Sequence, residues 1–366
     1  MNPVTHPALL PPSEDAPLAG CLPAFNRHRG YPPRFGWLRQ VHHEVRRDPQ
    51  LFTDPGRAAV TLAVGHEGAR SKRFWSRAFG MTAERHHNQR PSGRLTATGA
   101  TPRGHWLLDD DGADPYLEDP ASLWLLHWWL VSDTARCHVP TWRYLFCHTG
   151  TAAQRRHEVR AGVQHAARAR GWTQPTDAAV NRDLACILAM YAPAGAAGDL
   201  FDDAVHPFRQ LGLITRASAE PEPEPEGDPF IAAGTARFAA GIARHDFEAD
   251  RNAGALAPPQ ILAYTCLRHA HLRTPHARSI ALATLATAPD GPGRVMRAER
   301  GTLRRALHHL ERTRPELGVA LTEGQGDDVL TYASEPGALA DLILARHYDR
   351  PAGPDTRPST IQEQQP

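Results

Sequence analysis

One strongly apolar segment constrains the fold of this chain more than any other part of its sequence. Ala121 to Leu130 (ASLWLLHWWL) follows Asp119 and Pro120, and an aspartate cap with proline at the first helical position is a common helix start. Aliphatic and aromatic side chains lie on every side of such a helix, so we expect other elements to cover it. The segment contains His127 and is too short to span a bilayer, which predicts a buried helix in a soluble protein.

The composition restricts the class of protein further. The chain has 366 residues, enough for two or three domains. Its formal net charge of +1 gives no overall charge signal for or against a charged partner, and the codon use of a GC-rich genome is a sufficient explanation for its many arginines. The odd number of cysteines, five, is typical of reduced thiols, and residues 1–20 do not have the pattern of a signal peptide. We therefore expect a cytoplasmic protein.

Changes in composition divide the chain into folded blocks and unstructured segments. Residues 1–22 and 351–366 predict flexible tails, and residues 217–229 predict an acidic, proline-rich linker. The remaining sequence predicts three domains: a DNA-facing one at 23–150, a helical one at 151–216 and a helical one with a hairpin at 230–350.

The first domain has the sequence pattern of a winged helix. Three helices are predicted at Phe35–Asp48, Arg57–Val64 and His66–Met81, and the last of them is amphipathic and basic. Two short apolar strands are predicted at Leu95–Ala97 and His105–Leu108, on either side of a Gly/Pro turn. This order of elements indicates a helix-turn-helix followed by a wing.

Similar patterns follow later in the chain. Helices are predicted at Thr141–His148 and Asp177–Tyr191, and Pro207–Ile214 resembles a helix that leads into a strand, so residues 151–216 are a possible second winged helix. A helix over Arg300–Arg312 precedes two strands, Gly318–Thr322 and Asp328–Tyr332. The predicted fold class is therefore mainly α with small β-hairpins and winged-helix-like modules.

Charge is unevenly distributed within the first domain. Between Arg27 and Arg103 there are fifteen basic and five acidic residues, which arginine codon bias does not explain. A basic face on a helix-turn-helix predicts contact with DNA phosphates, although a solvated helix face would have the same pattern. The predicted contacts are four cations of the basic helix with two flanking arginines: Arg70, Lys72, Arg73, Arg77, Arg34 and Arg103.

An acidic segment follows at once, with six carboxylates in the eleven residues from Asp109 to Asp119. Hard divalent cations prefer oxygen ligands, so the segment is a candidate site for Mg²⁺ or Mn²⁺ that would activate water against a phosphate. The alternative is a tight turn at residues 109–112 and a helix cap at Asp119. Neither feature involves Asp114 or Glu118, which with Asp111 are the predicted metal ligands. His127 is a candidate general base, and a buried structural histidine is the alternative.

Other kinds of site have little support. Cys137-His138 and Cys147-His148 would supply four zinc ligands, but structural zinc sites separate the two ligands of each pair by two to four residues. The pair His42-His43 also lacks metal-ligand spacing and is expected on the surface or in the core. No Walker A loop, dinucleotide-binding glycine motif, Gly-x-Ser-x-Gly or His-Glu-x-x-His is found, which disfavours ATPases, dehydrogenases, hydrolases and zinc proteases.

Several motifs together resemble one bacterial family of proteins. They are Arg34-Phe35-Gly36-Trp37-Leu38, Arg70-Ser71-Lys72-Arg73-Phe74-Trp75, Asp114-Pro115-Tyr116-Leu117-Glu118-Asp119-Pro120 and Trp124-Leu125-Leu126-His127-Trp128. The chain is similar in these motifs to the domain-of-unknown-function family that includes the SspB-type DNA nickases of Ssp phosphorothioation systems. The resemblance implies a role in antiviral DNA modification beside a cysteine desulfurase, an ATP-pyrophosphatase-like sulfur transferase and an ATPase.

Two functions of different classes remain open. The first is a metal-dependent DNA nickase, in which Asp114, Glu118 and His127 would act on a phosphate that the basic residues hold. The second is a non-catalytic winged-helix adaptor that positions the sulfur-transfer enzymes on DNA. A third function, transcription regulator, has less support, because the sequence has no effector-binding or dimerisation pattern.

Overall fold

The fold is taken from a computed structural model that describes residues 16–87, 93–132, 137–149, 155–192, 205–216, 238–239, 257–324 and 326–355. Three helices and an antiparallel hairpin form its first part: α1 (Trp37–Arg47), α2 (Pro55–Thr61), α3 (His66–Ala78), β1 (Thr82–His86) and β2 (Leu95–Ala100). The three predicted helices are confirmed. Helix α2 begins where expected from its cap, because the Asp54 carboxylate accepts the N–H of Gly56 at 2.8 Å.

The prediction of a strand at His105–Leu108, the second strand of the wing, is wrong. His105–Leu108 lies in a helix, α4 (Pro102–Leu108), and the strand that pairs with β2 is β1, with Thr82 opposite Ala100. The Thr101 hydroxyl caps α4 by accepting the N–H of Gly104 at 3.0 Å, and Pro102 occupies its first position. Three helices followed by a hairpin is the predicted order of elements, and the winged-helix interpretation stays a prediction.

The apolar segment forms a central helix, α5 (Pro120–Val131), in which every residue from Ala121 onward is buried. The Asp119 carboxylate accepts the N–H of Ala121 at 2.8 Å, so the predicted cap is confirmed. Helix α5 belongs to one hydrophobic core that contains residues from all three predicted domains, from Leu18 to Leu344. No helix in the described ranges is long and apolar enough to cross a membrane.

Helical elements dominate the middle of the chain. A short helix, α6 (Pro140–Arg143), continues into one π-helical turn (Tyr144–His148), and α7 (Arg156–Ala169) precedes α8 (Asp177–Tyr191). A 3-10 turn (Pro207–Leu211) is followed by the two-residue strand β3 (Thr215–Arg216), which pairs antiparallel with β4 (Phe238–Ala239). The helices predicted at 141–148 and 177–191 are confirmed.

A buried hydrogen-bond network ties α8 to the start of the chain. The Asp183 carboxylate accepts the backbone N–H of Asn26 at 2.7 Å, His28 Nε2–H at 2.9 Å and the Thr141 hydroxyl at 2.6 Å. Because the N–H of Gly30 donates to His28 Nδ1, the imidazole proton lies on Nε2. Both Asp183 and His28 are about 1% exposed, so this network links three segments inside the core.

The described last part of the chain combines five helices with a three-stranded sheet. Its elements are α9 (Pro259–Arg273), β5 (Ser279–Ala281), α10 (Leu282–Thr287), α11 (Pro292–Val295), α12 (Arg300–Thr313), β6 (Val319–Glu323), β7 (Asp328–Tyr332) and α13 (Pro336–His347). The sheet is antiparallel with the order β5-β7-β6. The predicted helix at 300–312 and the hairpin after it are confirmed.

The ends of the described chain pack on the core. Leu18, within the predicted tail 1–22, is fully buried. Asp355, within the predicted tail 351–366, accepts hydrogen bonds from Arg103 and lies 3.2 Å from Arg268. The linker 217–229 and residues 1–15 and 356–366 of the predicted tails lie outside the described residues.

Candidate functional site

A carboxylate at the end of α4 is surrounded by two histidines and an arginine. Asp109 Oδ1 lies 2.7 Å from His42 Nε2 on α1 and 2.8 Å from Arg46 Nη1, one helical turn further along α1. His105, four residues before Asp109 on α4, places Nδ1 3.1 Å from the other carboxylate oxygen. The site therefore depends on the packing of α4 against α1.

These three side chains form a group that could hold a metal ion. One ligand atom from each of His42, His105 and Asp109 lies within 4.8 Å of the others, and in the described part of the chain they are the one such group. His42 Nδ1 is buried and has no hydrogen-bond partner, so the proton of the neutral imidazole lies on Nε2 and donates to Asp109; a cation at Nε2 would require that proton on Nδ1. Imidazole with carboxylate is a donor set that suits first-row divalent ions such as Mn²⁺.

The pKa shifts at the site favour the protonation states that metal ligands need. Burial lowers the pKa of His42 and outweighs the opposite effect of Asp109, so this imidazole is neutral near pH 7. Burial opposes ionisation of Asp109, but hydrogen bonds from His42 and His105 and the charge of Arg46 lower its pKa overall. A neutral imidazole and an ionised carboxylate are the charge states that cation ligands need.

A second carboxylate extends the site along the same face of α1. Asp110 Oδ1 accepts a hydrogen bond from Arg39 Nη2 at 2.7 Å and lies 3.2 Å from His43 Nε2. Arg39, His43 and Arg46 follow a helical spacing, so all three point to the turn at residues 109–112, the acidic turn. Two carboxylates are thus balanced by two guanidinium groups, and a divalent cation would leave the site with a net positive charge that attracts phosphate.

The three predicted metal ligands do not meet in the structure. Asp114 is 7% exposed, and its carboxylate accepts the backbone N–H groups of Glu118 and Asp119 and the hydroxyl of Ser122, at 2.6 to 3.0 Å. The side chains of Glu118 and Asp111 are exposed on the surface. Asp114 therefore holds the loop 115–119 and the start of α5.

Replacing Asp114 with alanine is expected to lower the free energy of unfolding by about 2–3 kcal/mol, because two N–H groups and one hydroxyl lose their acceptor. Urea denaturation followed by tryptophan fluorescence measures this change. Glu118→Ala, at an exposed position four residues away, is the control and should change stability by less than about 0.5 kcal/mol. Equal stability of Asp114→Ala and the unchanged chain would contradict the assigned role of Asp114.

His127 lies inside the core rather than at the surface. Its Nε2–H donates to the Val295 carbonyl at 2.9 Å, and its Nδ1 accepts the Tyr191 hydroxyl at 2.8 Å. Burial lowers the pKa of His127 to about 4, so it is neutral near pH 7. The alternative of a buried structural histidine agrees with this position.

The predicted phosphate contacts divide into exposed and internal groups. Arg34 and Arg70 are exposed, and Arg70 pairs with Glu67 at 2.6 Å. Arg73 and Arg77 are half-buried and both pair with Glu84. The hydrogen bonds of these two arginines and their charges outweigh the burial of Glu84 and lower its pKa.

Lys72 and Arg103 point inward. Lys72 is 4% exposed and donates to Gln40 Oε1 at 2.5 Å and to the Leu62 carbonyl at 3.1 Å. Arg103 is 4.4 Å from the centre of the Trp129 ring and donates to Asp355. As the helices are packed, neither cation is turned to the solvent, whereas Arg46 and Arg47 at the end of α1 are exposed.

The group of His42, His105 and Asp109, the histidine–aspartate group, was not predicted from the sequence. His42 and His105 are 63 residues apart, and only the contact of α1 with α4 brings them together. One local signal was available, because His105 and Asp109 have the i, i+4 spacing of neighbours on one helix face. That signal has meaning only if 102–108 is helical, and a strand was predicted there.

Comparisons with known proteins agree with each other. The family model described as a protein of unknown function (DUF4007) matches residues 25–223 and 239–348. A magnesium ion-bound SspB crystal structure is 31% identical with a TM-score of 0.76, and the match covers 93% of this chain and 92% of that one. A second SspB crystal structure is 30% identical with a TM-score of 0.75, over 95% and 93%. No curated protein sequence matches the chain.

Proposed function

The chain belongs to the DUF4007 family of SspB-type proteins, and from this membership we propose that it is a metal-dependent DNA nicking endonuclease. Similarity to SspB supports a role in the Ssp phosphorothioation system. The observation that carries the catalytic part of the proposal is the group of His42, His105 and Asp109 beside exposed arginines. Its proposed partners are DNA and the sulfur-transfer proteins of that system: a cysteine desulfurase, an ATP-pyrophosphatase-like enzyme and an ATPase.

The residues of the group fit a divalent ion. His42 Nε2, His105 Nδ1 and an oxygen of Asp109 would hold it. Mn²⁺ suits this mixed donor set, and Mg²⁺, the ion named for one SspB structure, would bind mainly through carboxylates and water. When bound, such an ion polarises a phosphate oxygen and lowers the pKa of a bound water.

The chain itself supplies binding and orientation. Arg46 contacts Asp109 and Arg39 contacts Asp110, and a guanidinium matches two phosphate oxygens at once. Ionised Asp109 offers a negatively charged oxygen to a cation, because its pKa is lowered and its hydrogen bonds hold it in place. One such site per chain is enough to break one strand.

Exposed arginines near the site would hold the flanking phosphates, with Arg34 and Arg70 as further candidates. We expect the double replacement Arg46→Ala and Arg47→Ala to flatten the dependence of log binding constant on log salt by about one unit per lost phosphate contact. Fluorescence anisotropy with labelled duplex in EDTA measures this slope. Arg312→Ala, an exposed arginine on α12, is the control, and an unchanged slope in the double variant would exclude this surface.

One observation favours the adaptor as the second candidate function. The Asp109 carboxylate is already satisfied by His42, Arg46 and His105 without an ion, so the group is also consistent with a purely structural role. In that case the protein would bind DNA and position the sulfur-transfer enzymes without cutting.

Incubation of the purified protein with supercoiled plasmid separates the two functions. A nickase produces open-circle DNA with Mn²⁺ or Mg²⁺ and none with EDTA, whereas an adaptor shifts the plasmid on a gel and leaves it supercoiled. Plasmid that stays supercoiled with Mn²⁺ and with Mg²⁺, both with and without the partner proteins, would refute the nickase.

A further inference from the structure

An exposed aromatic side chain is joined through Arg39 to Asp110, the residue after Asp109. Tyr116 is 63% exposed, which is unusual for a large aromatic residue, and it lines an open depression of about 350 Å³. The other lining residues are mostly apolar: Phe35, Gly36, Arg39, Pro115 and Leu117. This volume lies at the lower end of the range for small-ligand sites, about 300–1,000 Å³.

The loop that carries Tyr116 is firmly held. The Asp114 carboxylate binds the N–H groups of Glu118 and Asp119, and the N–H of Leu117 donates to the Asp114 carbonyl at 3.2 Å. Leu117 has φ of 56°, a left-handed conformation that is costly for a residue with a side chain, while its side chain is buried. These contacts force Tyr116 outward although burial would be favourable for its ring.

Arg39 links this ring to the proposed cleavage site. Its guanidinium carbon lies 4.4 Å from the centre of the Tyr116 ring, and Nη2 donates to the tyrosine hydroxyl at 3.2 Å and to Asp110 at 2.7 Å. One face of the ring is thus covered by a cation, and the exposed remainder of the ring stays available. A flat cation and an aromatic ring in contact form a platform on which nucleobases stack.

We propose that the depression around Tyr116 binds one unpaired nucleobase of the DNA substrate by stacking. The inference rests on the proposed function, because it assigns the depression to a nucleotide beside the phosphate held at Asp109. The charge of the surroundings favours this occupant, since Arg39 and Arg46 attract the phosphates that flank the base. The preferred substrate is therefore DNA with a locally unpaired base, because a base inside a perfect duplex is not available to stack on a side chain.

The test compares two oligonucleotide duplexes that are identical except for one position. In one duplex 2-aminopurine is unpaired in a single-base bulge, and in the other it is paired with thymine. Affinity is measured by anisotropy and stacking by quenching of the 2-aminopurine fluorescence, both in EDTA so that no strand is cut. The variants are Tyr116→Ala and Tyr116→Phe, with Tyr31→Ala as the control at another exposed tyrosine outside the depression.

We expect the unchanged protein to bind the bulged duplex more tightly and to quench its fluorescence. Tyr116→Ala should weaken binding of the bulged duplex by about 5- to 150-fold, the typical effect of losing one stacked base, and leave the paired duplex unaffected. Tyr116→Phe keeps the ring and should retain most of the preference, and Tyr31→Ala should retain all of it. Equal affinity for the two duplexes, or an equal loss on both in Tyr116→Ala, would overturn the proposal.

The outcomes separate this proposal from the proposed function. Selective binding of the bulge without nicking of plasmid would refute the nickase and leave the stacking site in place. Nicking without selective binding or quenching would refute the stacking site alone. Absence of any DNA binding would overturn both.

Discussion

Replacing Asp183 with alanine is expected to lower the free energy of unfolding by about 3–5 kcal/mol. The Asn26 N–H, His28 Nε2–H and Thr141 hydroxyl all donate to this one buried carboxylate, and the variant leaves all three without an acceptor in the core. The loss should be visible as a lower midpoint of urea denaturation, measured by tryptophan fluorescence.

A neighbour on the same helix provides the control for this prediction. Arg182 is exposed on α8, so Arg182→Ala should change stability by less than about 0.5 kcal/mol. The loss of stability in Asp183→Asn should lie between the losses in Asp183→Ala and Arg182→Ala, because an amide oxygen can still accept hydrogen bonds. If Asp183→Ala unfolds at the same urea concentration as the unchanged protein, the network does not connect the N-terminal segment to α8.

The second large expected effect is a loss of DNA-nicking activity when Asp109 is replaced. Asp109→Asn removes the carboxylate of the proposed metal site and keeps its shape, so we expect the rate of plasmid nicking to fall by about 100-fold or more at a fixed Mn²⁺ concentration. Single-turnover conversion of supercoiled to open-circle plasmid gives this rate. Stability and DNA binding in EDTA should change little, because an asparagine oxygen can still accept from Arg46.

Two further variants make this result specific. Glu118→Gln separates the two ligand sets, because it would abolish nicking only if the ligands predicted from sequence hold the ion. Asp349→Asn, at an exposed carboxylate in the last part of the chain, is the matched control and should nick at the unchanged rate. Full activity of Asp109→Asn would exclude the histidine–aspartate group as the catalytic centre.

The elements that sequence analysis predicted well are those with strong local signals. Helix α5 has its cap and its proline within two residues, and its uniformly apolar side chains leave burial as the only favourable arrangement. The helix over 300–312 follows from the helical spacing of its apolar residues. The hairpin after it follows from two short apolar segments on either side of a glycine-rich turn. These patterns need no knowledge of distant parts of the chain.

The site was harder to predict because its geometry is set by contacts between distant segments. His105–Leu108 is short and apolar, a pattern that fits a strand or a helix, and the cap at Thr101 decides in favour of α4. Lys72 has the position of a surface cation on an amphipathic helix, but α1 supplies Gln40 as an internal partner. Asp114 stands in an acid-rich segment, yet its three donors come from the loop and helix that follow it.

The most direct test of the central claim is anomalous diffraction from crystals of the protein grown with Mn²⁺. We expect a manganese peak coordinated by His42, His105 and Asp109, which disappears in crystals of Asp109→Asn. A peak bound instead by Asp111, Asp114 or Glu118, or no manganese peak at the histidine–aspartate group, would contradict the proposed metal site.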